Sequence, residues 1–169
     1  MVVVRAAQVT DRLSVARVHV RSWQGGYRGL IADEHLDAMK AEDRASRYTF
    51  GEGDETFRRT VVAIEGEDVV GFASFGASCE VDNPTEGELS ALYVEPDSWG
   101  SGVGRTLLAS AREGLRAMSF ASAYLWVLEG NERATRFYGI DGWTSEGLCR
   151  ADMVWGVAIR EIRFARSLV

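Results

Sequence analysis

One stretch, residues 88–105 (ELSALYVEPDSWGSGVGR), limits most sharply what this chain can fold into. Its first half is a short, largely apolar run closed by Pro96, which reads as a strand. Its second half carries Gly100, Gly102 and Gly104 at alternate positions, and a helical pattern follows. Val103, Leu107, Leu108, Ala111, Leu115 and Met118 fall on one face of that helix, while Arg105, Thr106, Arg112, Glu113 and Arg116 cover the other. A strand, a glycine turn and a helix start in this order make an anion site. The first-turn N–H groups have no partner within the helix, the helix dipole adds partial positive charge, and glycines let backbone approach a phosphate closely.

Three glycine loops compete for the stretch. The dinucleotide fingerprint G-x-G-x-x-G fails, because Leu107 follows Gly102 and Gly104 at the third position, and a start at Gly100 meets Arg105. A phosphate loop of the Walker type needs Gly-Lys-Ser/Thr, which is absent. The run instead resembles the pyrophosphate loop of GCN5-related N-acetyltransferases (the GNAT family), whose pattern is Gln/Arg-x-x-Gly-x-Gly/Ala. Gly102 and Gly104 fill the two glycine positions, and Trp99 stands where Gln or Arg is usual. The resemblance implies acetyl-CoA as co-substrate, its pyrophosphate held by the backbone of Gly100, Ser101, Gly102, Val103, Gly104 and Arg105.

A second signature lies downstream. Residues 121–128 read as a buried strand, so strand, helix and strand form a right-handed crossover with parallel strands. Asn131 then caps a helix, with Ala134, Phe137 and Tyr138 on adjoining positions. This resembles the family's Asn-x-x-Ala-x-x-Phe-Tyr run, followed here by Gly142 and Trp143. On its own the segment is also a capped helix with an aromatic core face. With the glycine loop before it, the resemblance places Asn131, Ala134 and Phe137 against the cofactor.

The remaining elements fit one domain over residues 1–169. Residues 2–6 read as a first strand. Thr10 is a plausible N-cap for a helix to Gln24, with Leu13, Ala16, Val20, Trp23 and Tyr27 on one face and Gly25-Gly26 ending or bending it. Residues 31–40 and 41–50 read as two further helical pieces, the second ending before Gly51-Glu52-Gly53, with Leu36 and Met39 of the first facing inward. Residues 60–65 and 68–75 form a hairpin around Gly66-Glu67, and the polar segment 76–87, with Pro84, is a loop. Residues 144–150 and 157–165 read as the last antiparallel strands, with 151–156 between them.

Several classes are excluded or disfavoured. No apolar run reaches the ~20 residues of a membrane span, and the first residues lack the pattern of a signal peptide. Two cysteines, Cys79 and Cys149, are too few for a disulfide framework, so a reduced, cytoplasmic setting is expected. His19 and His35 have no neighbour at metal-ligand spacing and read as surface or packing histidines, so no metal is expected. The net charge of −6 argues against nonspecific nucleic-acid binding and is compatible with a cationic amine substrate. A homodimer is left open.

The resemblance spans nearly the whole chain. It implies a mixed α/β fold of the GNAT type: a central, mostly antiparallel sheet of six or seven strands flanked by helices, with the parallel fourth and fifth strands splayed into a V. Backbone groups left unpaired by the splay, at Leu92, Tyr93 and Val94, would bind the pantetheine arm like an added strand. A bulge near Leu92 would account for the splay. The segment from Trp23 to Ile31 resembles the acceptor side of the cleft, so Trp23 and Tyr27 are expected to contact substrate or to pack as core aromatics. Direct transfer needs a base for the amine, donors for the tetrahedral intermediate and a proton for the departing thiolate. The family's pattern assigns the last to Tyr138, and Glu88 matches a general-base position of some members, or else is a strand-end carboxylate. Three readings follow: an N-acetyltransferase acting on a small amine, a protein acetyltransferase acting on N-termini or lysines, and a CoA-binding sensor without catalysis.

Overall fold

The computed structural model describes residues 1–52, 57–80 and 85–169. Its elements are β1 (Val2–Ala6), α1 (Arg12–Gly26), α2 (Asp33–Ala38), α3 (Ala41–Ala45), β2 (Arg58–Glu65), β3 (Asp68–Ala77), β4 (Gly87–Val94), α4 (Val103–Ala117), β5 (Ser122–Leu128), α5 (Glu132–Ile140), β6 (Thr144–Val154) and β7 (Val157–Ser167). Gly53 and Pro84, read above as parts of connecting segments, lie outside the described residues.

The strands form one seven-stranded sheet in the order β1-β2-β3-β4-β5-β7-β6. Every neighbouring pair is antiparallel except β4 and β5. That parallel pair meets only at Gly87 opposite Ala123 and Glu88 opposite Tyr124, after which the strands part. The expected V is therefore present.

The irregularity that accompanies it sits at Ser90, not Leu92. Ser74 of β3 faces Ala91 and Phe75 faces Leu89, so Ser90 is the extra residue of a bulge. Its hydroxyl donates to the carbonyl of Ser74 at 3.1 Å. The extra residue also resets the alternation of side chains. Leu89, Leu92 and Val94 pack with α4, while Ala91 and Tyr93 reach the α1 side.

Two layers of core flank the sheet. Against one face lies α4, whose Val103, Leu107, Leu108, Ala111 and Leu115 are all buried as the periodicity predicts. Burying each of the larger ones stabilises the fold by roughly 1.5–3 kcal/mol. Against the other face lies α1, with Val15 and Val18 meeting Val62 and Phe72.

Three expectations need correction. Thr10 is not the N-cap of α1. It lies in a 3₁₀ turn, Val9–Asp11, because the Asp11 carboxylate takes the Gln8 N–H at 2.7 Å and the Arg5 guanidinium at 2.7 Å. The third helical piece stops at Ala45, and the following turns bring Tyr48 and Phe50 to the core. β6 continues past residue 150 to Val154, so what was read as a six-residue link is only the two-residue turn Trp155-Gly156. Both turn residues have positive φ, 52° and 77°, as a tight hairpin requires. Of the two readings of His19, packing is the one observed: it is a core residue, 5% exposed.

Candidate active site

The loop between β4 and α4 is built from short-range bonds. After Val94 come a 3₁₀ turn, Pro96–Ser98, and then Trp99, whose indole N–H donates to the Val94 carbonyl at 2.8 Å. Gly100 and Gly102 have φ of 80° and 98°, a region costly for residues with a Cβ, and Gly102 directly precedes α4. The first intrahelical bond at this end runs from Thr106 N–H to Gly102 C=O at 3.1 Å. The N–H groups of Val103, Gly104 and Arg105 come before it and are the donors such a helix start offers to an anion.

Trp99 therefore has a structural task in place of the usual Gln or Arg. The Arg133 guanidinium lies 3.3 Å from the centre of its ring, a close cation–π stack. The end of α1 presses on the same group. A Cβ on Gly25 would stand 3.1 Å from Pro96 Cγ and 3.2 Å from Trp99 Cη2, so only glycine leaves α1 this close to the loop.

On the other arm of the V, Asn131 Oδ1 accepts from the Ala134 N–H at 3.1 Å and starts α5. Tyr138, two turns on, is buried. Its ring meets Phe137 and Trp143 edge-on at 5.1 and 6.2 Å. Gly142, at φ 86°, turns the chain so that Trp143 enters the core, where its indole donates to Asp141 at 3.1 Å.

Between the arms runs a cavity of about 640 Å³. Glu88, Leu92, Tyr93, Val94, Gly100, Ser101, Gly102, Gly104, Arg105, Asn131, Ala134, Phe137, Tyr138, Trp23 and Tyr27 all line it. Val103 does not. Its side chain is buried under α4, and only its backbone belongs to the loop. The Val94 carbonyl is already taken by Trp99.

The acceptor face holds residues that no sequence pattern marked. His19, Arg44, Leu128, Val154 and Glu161 line the cavity there. His19 stacks on Tyr93 at 4.4 Å and touches Trp155 at 4.9 Å, and its Nδ1 is 2.7 Å from the Tyr48 hydroxyl. Trp155 also packs on Trp23 at 4.7 Å. His19 and Trp23 are four apart on α1 and so share a helix face, the one signal that could have found the histidine. Nothing local marks Trp155, whose ring comes in from the far hairpin.

Burial sets the protonation states. It pushes the Tyr138 phenol far up, with the phenol of Tyr93 adding to the effect, so Tyr138 keeps its proton. Burial raises Tyr27 well above its usual range, raises Tyr93, and pushes Tyr48 up to about 12. His19 is held well below its usual value by burial, then by the nearby Arg44 charge, and is neutral. Glu88 is 8% exposed. Its Oε2 accepts from Arg58 at 3.0 Å, and Oε1 has no partner among the described residues.

The residues present fit acetyl-CoA. The loop offers backbone donors where a pyrophosphate would sit, and β4 beyond Glu88 has no partner on the β5 side, leaving an edge for an extended amide-bearing arm. Among the described residues, no group of three or more His, Cys, Asp or Glu could hold a metal ion. No helix among them is long and apolar enough to cross a membrane.

Comparisons agree with this geometry. Residues 20–141 match the Acetyltransferase (GNAT) family. The chain is 34% identical over 131 residues to the uncharacterised N-acetyltransferase YuaI of Bacillus subtilis, covering 78% of this chain and 74% of that protein. In fold it is similar to the PaiA N-acetyltransferase of Thermoplasma acidophilum in complex with coenzyme A, with a TM-score of 0.76, 18% identity and 99% of both chains covered. It is also similar to YncA of Salmonella typhimurium with its cofactor acetyl-CoA, with a TM-score of 0.74, 18% identity, and 100% of this chain and 95% of that one covered. With both signatures flanking the V and the family match running through them, the chain belongs to the GNAT family and is an acetyl-CoA-dependent N-acetyltransferase.

Proposed function

We propose that the chain moves an acetyl group directly from acetyl-CoA to a primary amine of a small molecule. The observation that carries this reading is the shape of the acceptor side. Trp23, Tyr27 and Tyr93 line the acceptor side with bulky rings, and Trp155 from the β6–β7 turn packs on Trp23. A peptide acceptor would need an open groove, which the rings of Trp23 and Tyr27 narrow.

Acetyl-CoA supplies the activated thioester. The N–H groups of Val103, Gly104 and Arg105 hold the pyrophosphate, and Arg133, fixed on Trp99, adds positive charge at the mouth. The free edge of β4 orients the pantetheine arm. Glu88 takes the proton of the incoming ammonium through Oε1, directly or through water, while Arg58 fixes the carboxylate by Oε2. Tyr138, a neutral phenol, gives its proton to the departing thiolate. No side-chain nucleophile is used, and Cys79 and Cys149 are both exposed.

The test is thiol release from acetyl-CoA with a panel of small primary amines set against peptides bearing free N-termini or lysines. The expected result is a kcat/KM at least about ten-fold higher for the best small amine. A peptide that outperforms every small amine overturns the reading.

A further inference from the structure

The acceptor chamber holds a cation with no carboxylate of its own. Arg150 is ion-paired with Glu161 at 2.7 Å and with Asp152 at 3.6 Å, and Glu88 with Arg58 at 3.0 Å. Arg44, on α3, lines the same cavity but has no carboxylate within ion-pairing distance among the described residues. Its guanidinium lies between two rings, 5.3 Å from the centre of Tyr48 and 5.1 Å from that of Trp155. Ring faces attract the charge but accept none of its N–H bonds in the plane where a carboxylate would. The Arg44 Nε is buried without a hydrogen-bond partner.

A second donor is stranded beside it. Trp23 is 3% exposed, and its indole N–H lies near the Tyr93 phenol without a well-formed hydrogen bond. Its ring packs on Trp155, the residue that also covers Arg44. Buried donors left without partners are costly, and natural proteins rarely keep them without a use. Tyr93 ties the pair to the reacting end. Tyr93 and Tyr138 line the same cavity as Trp23 and Arg44. The chamber thus runs from Tyr138 past Tyr93 to Trp23 and Arg44, with aromatic walls between.

We propose that the acceptor is an amino-carboxylate, an amine carrying its own carboxylate, and that Arg44 and the Trp23 indole N–H bind that carboxylate while the amine points towards Glu88 and Tyr138. The inference rests on the acetyltransferase reading and narrows its substrate class. Arg44 offers paired N–H donors matched to a carboxylate, Trp23 offers a third, and neutral His19 leaves the local charge to Arg44. The wall of Trp23, Tyr27 and Tyr93 suits a compact apolar or aromatic group between the two ends.

The experiment compares L-amino acids with their carboxamides, L-phenylalanine with L-phenylalaninamide and L-methionine with L-methioninamide, at equal free-amine concentration. Thiol release from acetyl-CoA gives kcat and KM, and calorimetry on the CoA-loaded protein gives binding. The acids are expected to exceed the amides by roughly 10- to 100-fold in kcat/KM, the size of a charge-assisted contact. Arg44→Gln should erase that margin by raising the KM of the acids far more than that of the amides, with CoA affinity near wild type, and Arg44→Lys should restore part of it. Trp23→Phe, which keeps a ring and drops the N–H, should lower the acids more than the amides. Amides as good as the acids, or Arg44→Gln acting equally on both, overturn the proposal while turnover of any amine leaves the acetyltransferase reading intact. Arg44-dependent binding of the acids with no thiol release would instead support the anion site and count against transfer.

Discussion

Tyr138 is the residue on which the proposed chemistry turns. Burial holds its phenol protonated over the whole working range, so it can act only as a donor. Tyr138→Phe keeps the ring that packs on Phe137 and Trp143 and removes the proton. It is expected to leave acetyl-CoA affinity unchanged and to slow transfer by about 10²-fold, the lower part of the range for general acid catalysis, since water substitutes in part. Equal single-turnover rates in the two proteins would remove Tyr138 from the mechanism. Glu88→Gln belongs to the same test: its loss should be largest at low pH, where the amine is chiefly protonated, and a pH-independent loss would make Glu88 a structural partner of Arg58. That both residues line the cavity was legible in the sequence because each stands inside or beside a motif of fixed spacing. Arg44, which lines it, and Tyr48 and Trp155, which stack on Arg44, were not, because each comes from a segment with no chemistry-bearing pattern of its own.

At the level of elements, the β4–α4 loop separates backbone requirement from packing requirement. A Cβ on Gly102 would meet nothing within 4 Å, yet its φ of 98° strains any L-residue. A Cβ on Gly104 would touch Phe137 at 3.4 Å, an ordinary contact. Gly104→Ala is therefore expected to fold and bind, which matches a position where the family pattern takes Gly or Ala. Gly102→Asp adds local strain of roughly 1–2 kcal/mol and sets a carboxylate against the bound phosphates. It should fold, judged by an unchanged far-ultraviolet circular dichroism spectrum, and lose acetyl-CoA affinity by about 100-fold or more. Unchanged affinity in the folded variant would displace the phosphate site from this loop. The crossover elements were legible because their apolar residues repeat at helical or strand spacing. The Ser90 bulge was not, since a one-residue slip shows only in the partner strand's register. The full length of β6 was hidden too. It is the edge strand, six exposed residues open it, and no buried face imprints alternation on its start.

The molecule as a whole is held from the α1 side by an aromatic cluster drawn from distant parts of the chain, and His19 is its centre. Rings of Trp23, Tyr48, Phe72, Tyr93 and Trp155 surround it, contributed by α1, the turns after α3, β3, β4 and the β6–β7 turn. A charge at that point would face Arg44 and no carboxylate, so the folded state keeps His19 neutral. The consequence for stability has a definite sign. Unfolded, His19 takes up a proton below about pH 6.5; folded, it resists until well below that. The unfolded state then binds more protons, and stability present above the unfolded value is lost as pH falls through this window. The slope is about 1.4 kcal/mol per pH unit while His19 stays neutral. Asp11 acts in the same direction but lower, since its hydrogen bond to Arg5 depresses a carboxylate that titrates below this window even when unfolded. Glu95, raised by burial, acts in the opposite direction near the ordinary carboxylate range, because acid favours its folded, protonated form. Between pH 7 and pH 5.5 His19 should therefore dominate. Wild type is expected to lose a few degrees of Tm over that interval, at about 2–4 °C per kcal/mol for a chain of this size. His19→Gln, which keeps a neutral partner for the Tyr48 hydroxyl, should start from a lower Tm at pH 7.5 and show little slope down to pH 5.5. A slope as steep in the variant as in the wild type would locate the acid sensitivity elsewhere.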